Sequence, residues 1–488
     1  MKKKKTIIFL ITLVLLIGGI FLVNNIYQNK NKLNKTKRKR QNNLAIMIKE
    51  ENASDYAKSS SNDIPIGNYI LNEDKTHCEN NGKILSYDNT TGKVKFSFVG
   101  SDRCYLYFDY HLETIKLGNN ELIVNSGTPD FSQKPTTNEG IFKADDDLGT
   151  SYYFRGAVDN NWVKFGTIDD GKCYYNNQKN YYQEVYSYDS EEYVDNKDDC
   201  LATPICITED DEYYVGTDEE ICKEDYNGTY LSNTYAEWGK SIYWRIVRIN
   251  GDGSIRMIYS NLQSNNMAGI NGNEVYQFNS YTDGNGKAEY VGYQYIEGQQ
   301  HGYGKCDGSN ASCGNVYNSV AKQEIDKWFK TTSLYTTDFS KLADAIYCND
   351  RSASLEYVGP YGEINNWVST ETYYYSSFYF LGTIPSLKCG TTSDKFTVND
   401  NIGNGALSYP IGLLTIYEAR MAGWESNNFL TSKYFWTMSP ISSYSGALNS
   451  GSIVSVSYHS YLNPVISLSS SVKLSGDGTW ENPYIVVD

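Results

Sequence analysis

Trp244-Arg-Ile-Val-Arg-Ile-Asn-Gly-Asp-Gly-Ser-Ile-Arg-Met-Ile-Tyr259 is the stretch from which the fold is read. Two runs rich in β-branched and aromatic residues flank Asn250-Gly-Asp-Gly253. Those Asn-Gly and Asp-Gly steps tolerate the positive φ of a tight turn, so the stretch predicts an antiparallel hairpin. Working outward, Ser151-Tyr-Tyr-Phe154 and Trp162-Val-Lys-Phe165 are further strand candidates. Three short helices are expected beside them. One covers about Ser319 to Lys330 and carries Ala321, Ile325, Trp328 and Phe329 on one face; a second covers about Phe339 to Tyr347. The third opens at Thr415, with Glu418 three residues on as a capping box, and ends near Gly423. The expected fold class is therefore mainly β with a few short helices (α+β) in a large unit over residues 138–488.

The chain has 488 residues, 40% hydrophobic and 21% charged, enough length and apolar material for more than one folded unit. It holds 45 Tyr against 17 Phe and 8 Trp. Tyr suits half-exposed β surfaces and contact faces, because its ring is apolar while its hydroxyl must stay wet or hydrogen-bonded. AT-rich coding is the competing explanation of the same excess. The formal net charge is −15, yet residues 1–40 contain eleven Lys/Arg and no Asp or Glu, which leaves −26 for residues 41–488. Such a body repels phosphate backbones and argues against nucleic acid as a partner.

The basic amino end brackets an uncharged run, residues 6–23 (TIIFLITLVLLIGGIFLV), behind the n-region of residues 1–5. As a helix it would span about 27 Å, close to the thickness of a hydrocarbon core. Asn24-Asn25-Ile26-Tyr27-Gln28 follows, without a small-x-small cleavage site or a lipobox cysteine, so the expectation is an uncleaved transmembrane anchor. Four Lys precede the span and seven Lys/Arg follow it, so a literal positive-inside count would put the carboxyl side in the cytoplasm; cysteine usage points the other way, and the expectation is the amino end inside and the body outside the cell. Residues 24–63 then read as a polar basic linker. A small β module is expected over 64–135, with Asn81-Gly82 and Thr91-Gly92 turns between alternating segments and a staple from Cys78 to Cys104.

Cysteine number is even, ten, and no CxxC pair offers zinc spacing. Cys306 and Cys313 are a further candidate disulfide, whereas the pairing of Cys173, Cys200, Cys206 and Cys222 is left open. These last four lie in an insertion at about 167–239. Its stretch 189–225 holds fifteen Asp/Glu against two Lys. No D-x-[DN]-x-[DN]-G calcium loop occurs there, so a solvated surface excursion pinned by its cysteines is the expectation.

Several ordered motifs together resemble a family of uncharacterised membrane-anchored bacterial surface proteins. They are WRIVRINGDGSIRMIYS (244–260), VAKQEIDKWF (320–329), LADAIYCNDRS (342–352), YPIGLLTIYEARMAGW (409–424), YFWTMSP (434–440), NPVISL (463–468) and SGDGTWENPYIVVD (475–488). The upstream block LNEDKTHCENNGKILSYDN (71–89) with CYLYFD (104–109) resembles the small module such proteins carry. The resemblance implies a carboxyl-terminal domain similar to C-type-lectin-like and formylglycine-generating (sulfatase-modifying) folds. Family members carry Arg-Pro-Val-Ile near the end where this chain has Asn463-Pro-Val-Ile466. An amide cannot replace a bidentate guanidinium, so any interaction built on that arginine is in doubt.

Chemistry is sparse in the sequence. The four histidines (His77, His111, His301, His459) show no metal-binding spacing, and no GxSxG elbow, P-loop or HExxH motif occurs. No catalytic residue, metal site or cofactor is therefore assigned. The formylglycine-generating relatives use a cysteine-based copper site, which draws attention to Cys348 and Cys389. Their surroundings do not reproduce a copper pair, and a structural disulfide between them is expected instead. Asp350-Arg351 and Glu418 with Arg420 read as fold-stabilising charges or a cap. The lectin-like resemblance and the Ser/Tyr/Asn/Gly-rich stretch 439–463 make Tyr434, Trp436, Tyr444, Tyr458 and Tyr461 candidate ligand contacts. Tyr373-Tyr-Tyr375 and Tyr379 belong to the same aromatic set. An extracellular glycan or protein is the expected partner, and packing inside the head is the other reading of these rings.

Overall fold

The Asn250-Gly-Asp-Gly253 turn closes a hairpin between strands Glu237–Ile249 and Ile255–Asn261. Ser254 O accepts the Asn250 amide at 2.8 Å, and Gly253 takes φ +83°, a conformation that side chains resist. Trp244, Ile246, Met257 and Tyr259 enter one apolar cluster with Phe154, Val163, Phe165 and Trp328. Val247 and Ile258 enter another with Tyr293, Tyr347, Ile416 and Trp436. Cover on both faces explains why the hairpin is nearly continuous in apolar residues rather than alternating.

These strands belong to a computed structural model that describes residues 44–487 apart from 62, 89–90, 98–101, 132, 134, 136, 177–181, 189–191, 203, 262–268, 271–289, 291, 296–316, 350–384, 390–394, 400–405, 424–429, 431–434, 441–446, 450–452 and 455–458. The chain is mainly β, with four α-helices among the described residues. It divides into two units: Met1–Glu113 with Asn125–Gly127, and Thr114–Val124 with Thr128–Asp488. The anchor expected at 6–23 lies outside the described residues, among which no helix is long and apolar enough to cross a membrane.

In the first unit, strand Leu44–Lys49 runs parallel to Cys104–Tyr110, although it falls in the stretch expected as linker. Its apolar run Leu44-Ala-Ile-Met-Ile48 finds a partner only about sixty residues later, which local reading of a Lys/Asn-rich segment does not register. Strands Tyr69–Leu71 and His77–Cys78 pair with the other edge of Cys104–Tyr110. Alternation places Cys104, Leu106 and Phe108 inside and Tyr105 and Tyr107 on the opposite face, where His77 stacks on Tyr105 at 5.2 Å. Ile46, Leu106 and Phe108 contribute roughly 5–9 kcal/mol of burial before chain entropy is subtracted. Against so small a core, the Cys78–Cys104 disulfide across directly paired residues weighs heavily, at about 3 kcal/mol.

The second unit is built on a nine-stranded sheet. Its main path runs Asn138–Asp145, Thr150–Gly156, Glu237–Ile249, Trp162–Asn176, Tyr484–Val487, Lys473–Ser475, and Val465–Leu468 joins through Ile255–Asn261. The hairpin Thr114–Leu117 and Asn120–Ile123, inside the range expected for the small module, buries Leu117 and Leu122 in this unit's core. Helix Val320–Phe329 follows the expectation: Ser319 Oγ caps it by accepting the Lys322 amide, and Ala321, Ile325, Trp328 and Phe329 are buried. Helix Ile416–Met421 has its capping box, with Thr415 and Glu418 exchanging both bonds. The helix expected over Phe339 to Tyr347 does not form. Only the 3-10 turn Phe339–Lys341 appears, and from Leu342 the chain is extended, the Ala343 amide bonding to Ser467 O at 2.8 Å. Pairing with the neighbouring strand outweighs local helix propensity there.

Candidate functional site

Arg248 and Arg256 lie directly opposite one another across the hairpin, an arrangement that repels unless anions intervene. Glu418 and Asp146 intervene. Glu418 Oε1 accepts from Arg256 Nη1 at 2.6 Å and from Arg248 Nε at 3.1 Å, while Asp146 Oδ2 accepts from Arg248 Nη1 at 2.8 Å. The Thr415 amide donates to the remaining Glu418 oxygen at 3.0 Å, and Arg256 lies over the Tyr347 ring at 4.7 Å. All four charges are buried. Burial raises the carboxyl pKa of Glu418, but the two guanidinium groups and the Thr415 amide outweigh it and hold the group at about 2. Two positive and two negative charges close on themselves, so the network ties the sheet to the capping-box helix.

Cys348 is disulfide-bonded to Cys389. A carboxylate oxygen of Asp147 and the two sulfurs lie within 4.8 Å of one another, a metal-like set. The sulfurs are joined, however, and Asp147 accepts the Cys389 amide at 2.8 Å and pairs with Lys395 at 2.9 Å. Those donors are committed to bracing two strand ends together.

Of the candidate ligand contacts, Trp436 is fully enclosed in the head's core, and its amide bonds to Tyr461 O at 2.8 Å. A ring with no accessible face cannot meet a ligand, so Trp436 is a packing residue. Tyr461 is half-buried against the same core. Tyr434, Tyr444, Tyr458, Cys306 and Cys313 lie outside the described residues, as do Asp350, Arg351 and the tyrosines at 373–375 and 379. Asn463 is buried and donates its Nδ2 to Tyr259 O at 2.9 Å, an internal role.

The insertion brings five tyrosines together at its surface. It is a folded subdomain rather than an open excursion. Four strands lie in the order Tyr186–Ser187, Tyr213–Val215, Pro204–Ile207, Thr229–Tyr235, with helices Lys197–Ala202 and Glu219–Glu224. Disulfides join Cys173 to Cys200 and Cys206 to Cys222. Val185, Val194, Ile205, Tyr213 and Val215 form its core. The alternate residues form its outer face: Tyr193 stands beside Tyr186 across a β-bridge, and Tyr186 beside Tyr214 in parallel register.

The rings make a ladder. Tyr193 and Tyr186 stack at 4.3 Å, Tyr186 meets Tyr214 at 5.5 Å, Tyr214 stacks on Tyr226 at 5.3 Å, and Tyr188 stands edge-on to Tyr226 at 6.0 Å. Tyr193 is 54% exposed. Hydroxyls are also linked: Tyr186 donates to Tyr193 at 2.7 Å, and Tyr214 to Glu212 at 3.1 Å. The hydrogen bond to Tyr193, with burial, pushes the Tyr186 phenol up to about 12. Glu212, which accepts from Tyr214, is exposed, as are Glu192, Asp195 and Asp225, within two residues of a ladder tyrosine in the sequence. Sequence reading registered the acid density here and missed the ladder, whose signal is the Val/Tyr alternation in Val185-Tyr-Ser-Tyr188, Tyr193-Val194 and Tyr213-Tyr-Val215.

The first unit holds a separate open groove of about 1060 Å³ between Tyr69–Leu71 and strand Lys83–Asp88, lined by Ile70, Leu71, Leu85 and Tyr87. Comparison of the chain with family models, with curated proteins and with solved structures gives no match.

Proposed function

We propose that the chain is a membrane-anchored surface protein that works by contact, its lectin-like head presenting the tyrosine ladder of the acidic insertion to a protein partner outside the cell. The observation that carries this reading is the ladder itself: five half-exposed or exposed tyrosines on one face of a disulfide-braced subdomain. Rigid aromatic rings provide contact area at low entropic cost, and tyrosine is enriched at binding hot spots. Protein is favoured over glycan because sugar stacking needs a free ring face. In this ladder the faces of Tyr186, Tyr193, Tyr214 and Tyr226 are turned toward one another. A formylglycine-generating type of activity would instead need Cys348 and Cys389 as thiols, and their disulfide supports a bracing role.

A photo-crosslinking amino acid placed at position 193 of the full-length chain in living cells tests the reading. The expected result is a discrete protein adduct, lost when Tyr186 and Tyr214 are changed to Ser. Absence of any adduct, together with ladder-dependent binding on a glycan array, would overturn it.

A further inference from the structure

Tyr186 and Tyr193 face each other across an antiparallel β-bridge at one end of the ladder. Two backbone bonds flank them, from the Ser187 amide to Glu192 O at 2.8 Å and from the Val194 amide to Val185 O at 3.0 Å. That pattern makes them a non-hydrogen-bonded cross-strand pair, the kind whose side chains approach more closely. Their ring centroids lie 4.3 Å apart with the planes 25° from parallel, and the Tyr186 hydroxyl donates to the Tyr193 hydroxyl at 2.7 Å. Because the oxygens are nearer than the centroids, the rings converge toward their hydroxyl ends. The ring carbons beside each oxygen are therefore turned toward one another, and a phenoxyl radical places part of its unpaired electron on those carbons. Solvent reaches the pair, since Tyr193 is 54% exposed and Tyr186 is half-buried. Further along the ladder the fit loosens: Tyr214 and Tyr226 stack at 5.3 Å, and the Tyr214 hydroxyl donates to Glu212.

We propose that Tyr186 and Tyr193 are an oxidative cross-linking site, joined as a dityrosine when a peroxide-driven one-electron oxidant acts on the chain. Each oxidising equivalent takes one electron from one phenol, whose hydroxyl proton passes to water. The two phenoxyl radicals couple through their facing ring carbons, and one C–C bond forms. Each ring regains its aromaticity as the proton on the newly bonded carbon moves to the ring's oxygen. In sum two electrons and two protons leave the pair, and one hydrogen peroxide takes them up as two waters. Alignment favours this pair because partners held in near-reactive geometry combine as if within one molecule. The new bond ties strand Tyr186–Ser187 to Tyr193, next to a stretch that the Cys173–Cys200 disulfide already fixes, for the Val185 amide bonds to Cys173 O at 3.1 Å. The site does not depend on the ladder meeting a partner.

Treating the full-length chain with a haem peroxidase and hydrogen peroxide tests this. A glutamate-specific protease then cuts at Glu191 and Glu192, between the two rings, so that mass spectrometry reads the product as two joined peptides, lighter by two hydrogens. The expected result is a link between Tyr186 and Tyr193, with dityrosine fluorescence and a yield unchanged on dilution. Tyr186→Phe and Tyr193→Phe each remove only a hydroxyl, and each should lose the joined peptides while the Cys173–Cys200 bond stays intact. Tyr188 supplies the contrast, being nearer to Tyr193 in sequence but standing edge-on to Tyr226 at 6.0 Å. A link that persists through Tyr188 in the Tyr186→Phe variant would show chain proximity alone and overturn the proposal. Links scattered over other tyrosines, links between chains, or no joined peptide at all would overturn it as well.

Discussion

Glu418 meets two arginines and a helix cap with one carboxylate, and its ionisation is therefore tied to folding. Its ordinary pKa of 4.5 falls to about 2 in the folded head. A depressed carboxyl pKa contributes stability that is fully present above about pH 4.5 and lost as pH falls toward 2. The shift corresponds to on the order of 3 kcal/mol. Glu418→Gln leaves Arg248 and Arg256 opposed without their shared anion and should cost about 3–5 kcal/mol at neutral pH. Urea unfolding at pH 6 and pH 3 checks both parts: the variant should start less stable and lose less on acidification. The Thr415–Glu418 cap was legible in the sequence because it is local. The partnership with Arg248 and Arg256 was not, since it joins residues 170 and 162 positions apart. Trp436 teaches the same lesson: a Trp in a Ser/Tyr-rich stretch reads as a contact, and only the packing of distant elements shows it enclosed.

At the scale of elements, hairpins and capped helices were readable because their turns and caps are chemical signals. Asn250-Gly-Asp-Gly253, Ser319 and Thr415 each sit where the structure uses them. The expected helix over Phe339 to Tyr347 gave way to strand pairing, and strand Leu44–Lys49 was hidden in a polar segment because its partner is remote. In the insertion, charge masked the alternation that builds a core on one face and tyrosines on the other. The Cys206–Cys222 bond closes a loop of sequence separation 16 and holds helix Glu219–Glu224 to the sheet. Removing it with a Cys206→Ser/Cys222→Ser variant should destabilise the insertion by about 3 kcal/mol. Limited proteolysis should then show new cleavage confined to residues 204–235, with the Glu237–Ile249 hairpin still protected; uniform cleavage would show that the insertion and head unfold as one.

Across the whole molecule, the tyrosine excess divides by environment. Tyr153, Tyr243, Tyr259, Tyr293, Tyr347 and Tyr484 are core residues. Buried hydroxyls find carbonyls, as Tyr293 does at Leu413 O and Tyr347 at Pro410 O. The insertion gathers five others, Tyr186, Tyr188, Tyr193, Tyr214 and Tyr226, into one acidic, aromatic face. Composition foretold that tyrosine would matter without saying where. A face that works by contact is occupied at the cell surface. Hydroxyl-radical footprinting of the full-length chain on intact cells, compared with the purified chain in detergent, tests it most directly. Tyr335, 42% exposed and remote in sequence from the insertion, serves as the internal reference. Tyr193 and Tyr186 should be protected on cells while Tyr335 is modified equally in both. Equal modification of Tyr193 in the two settings would contradict it.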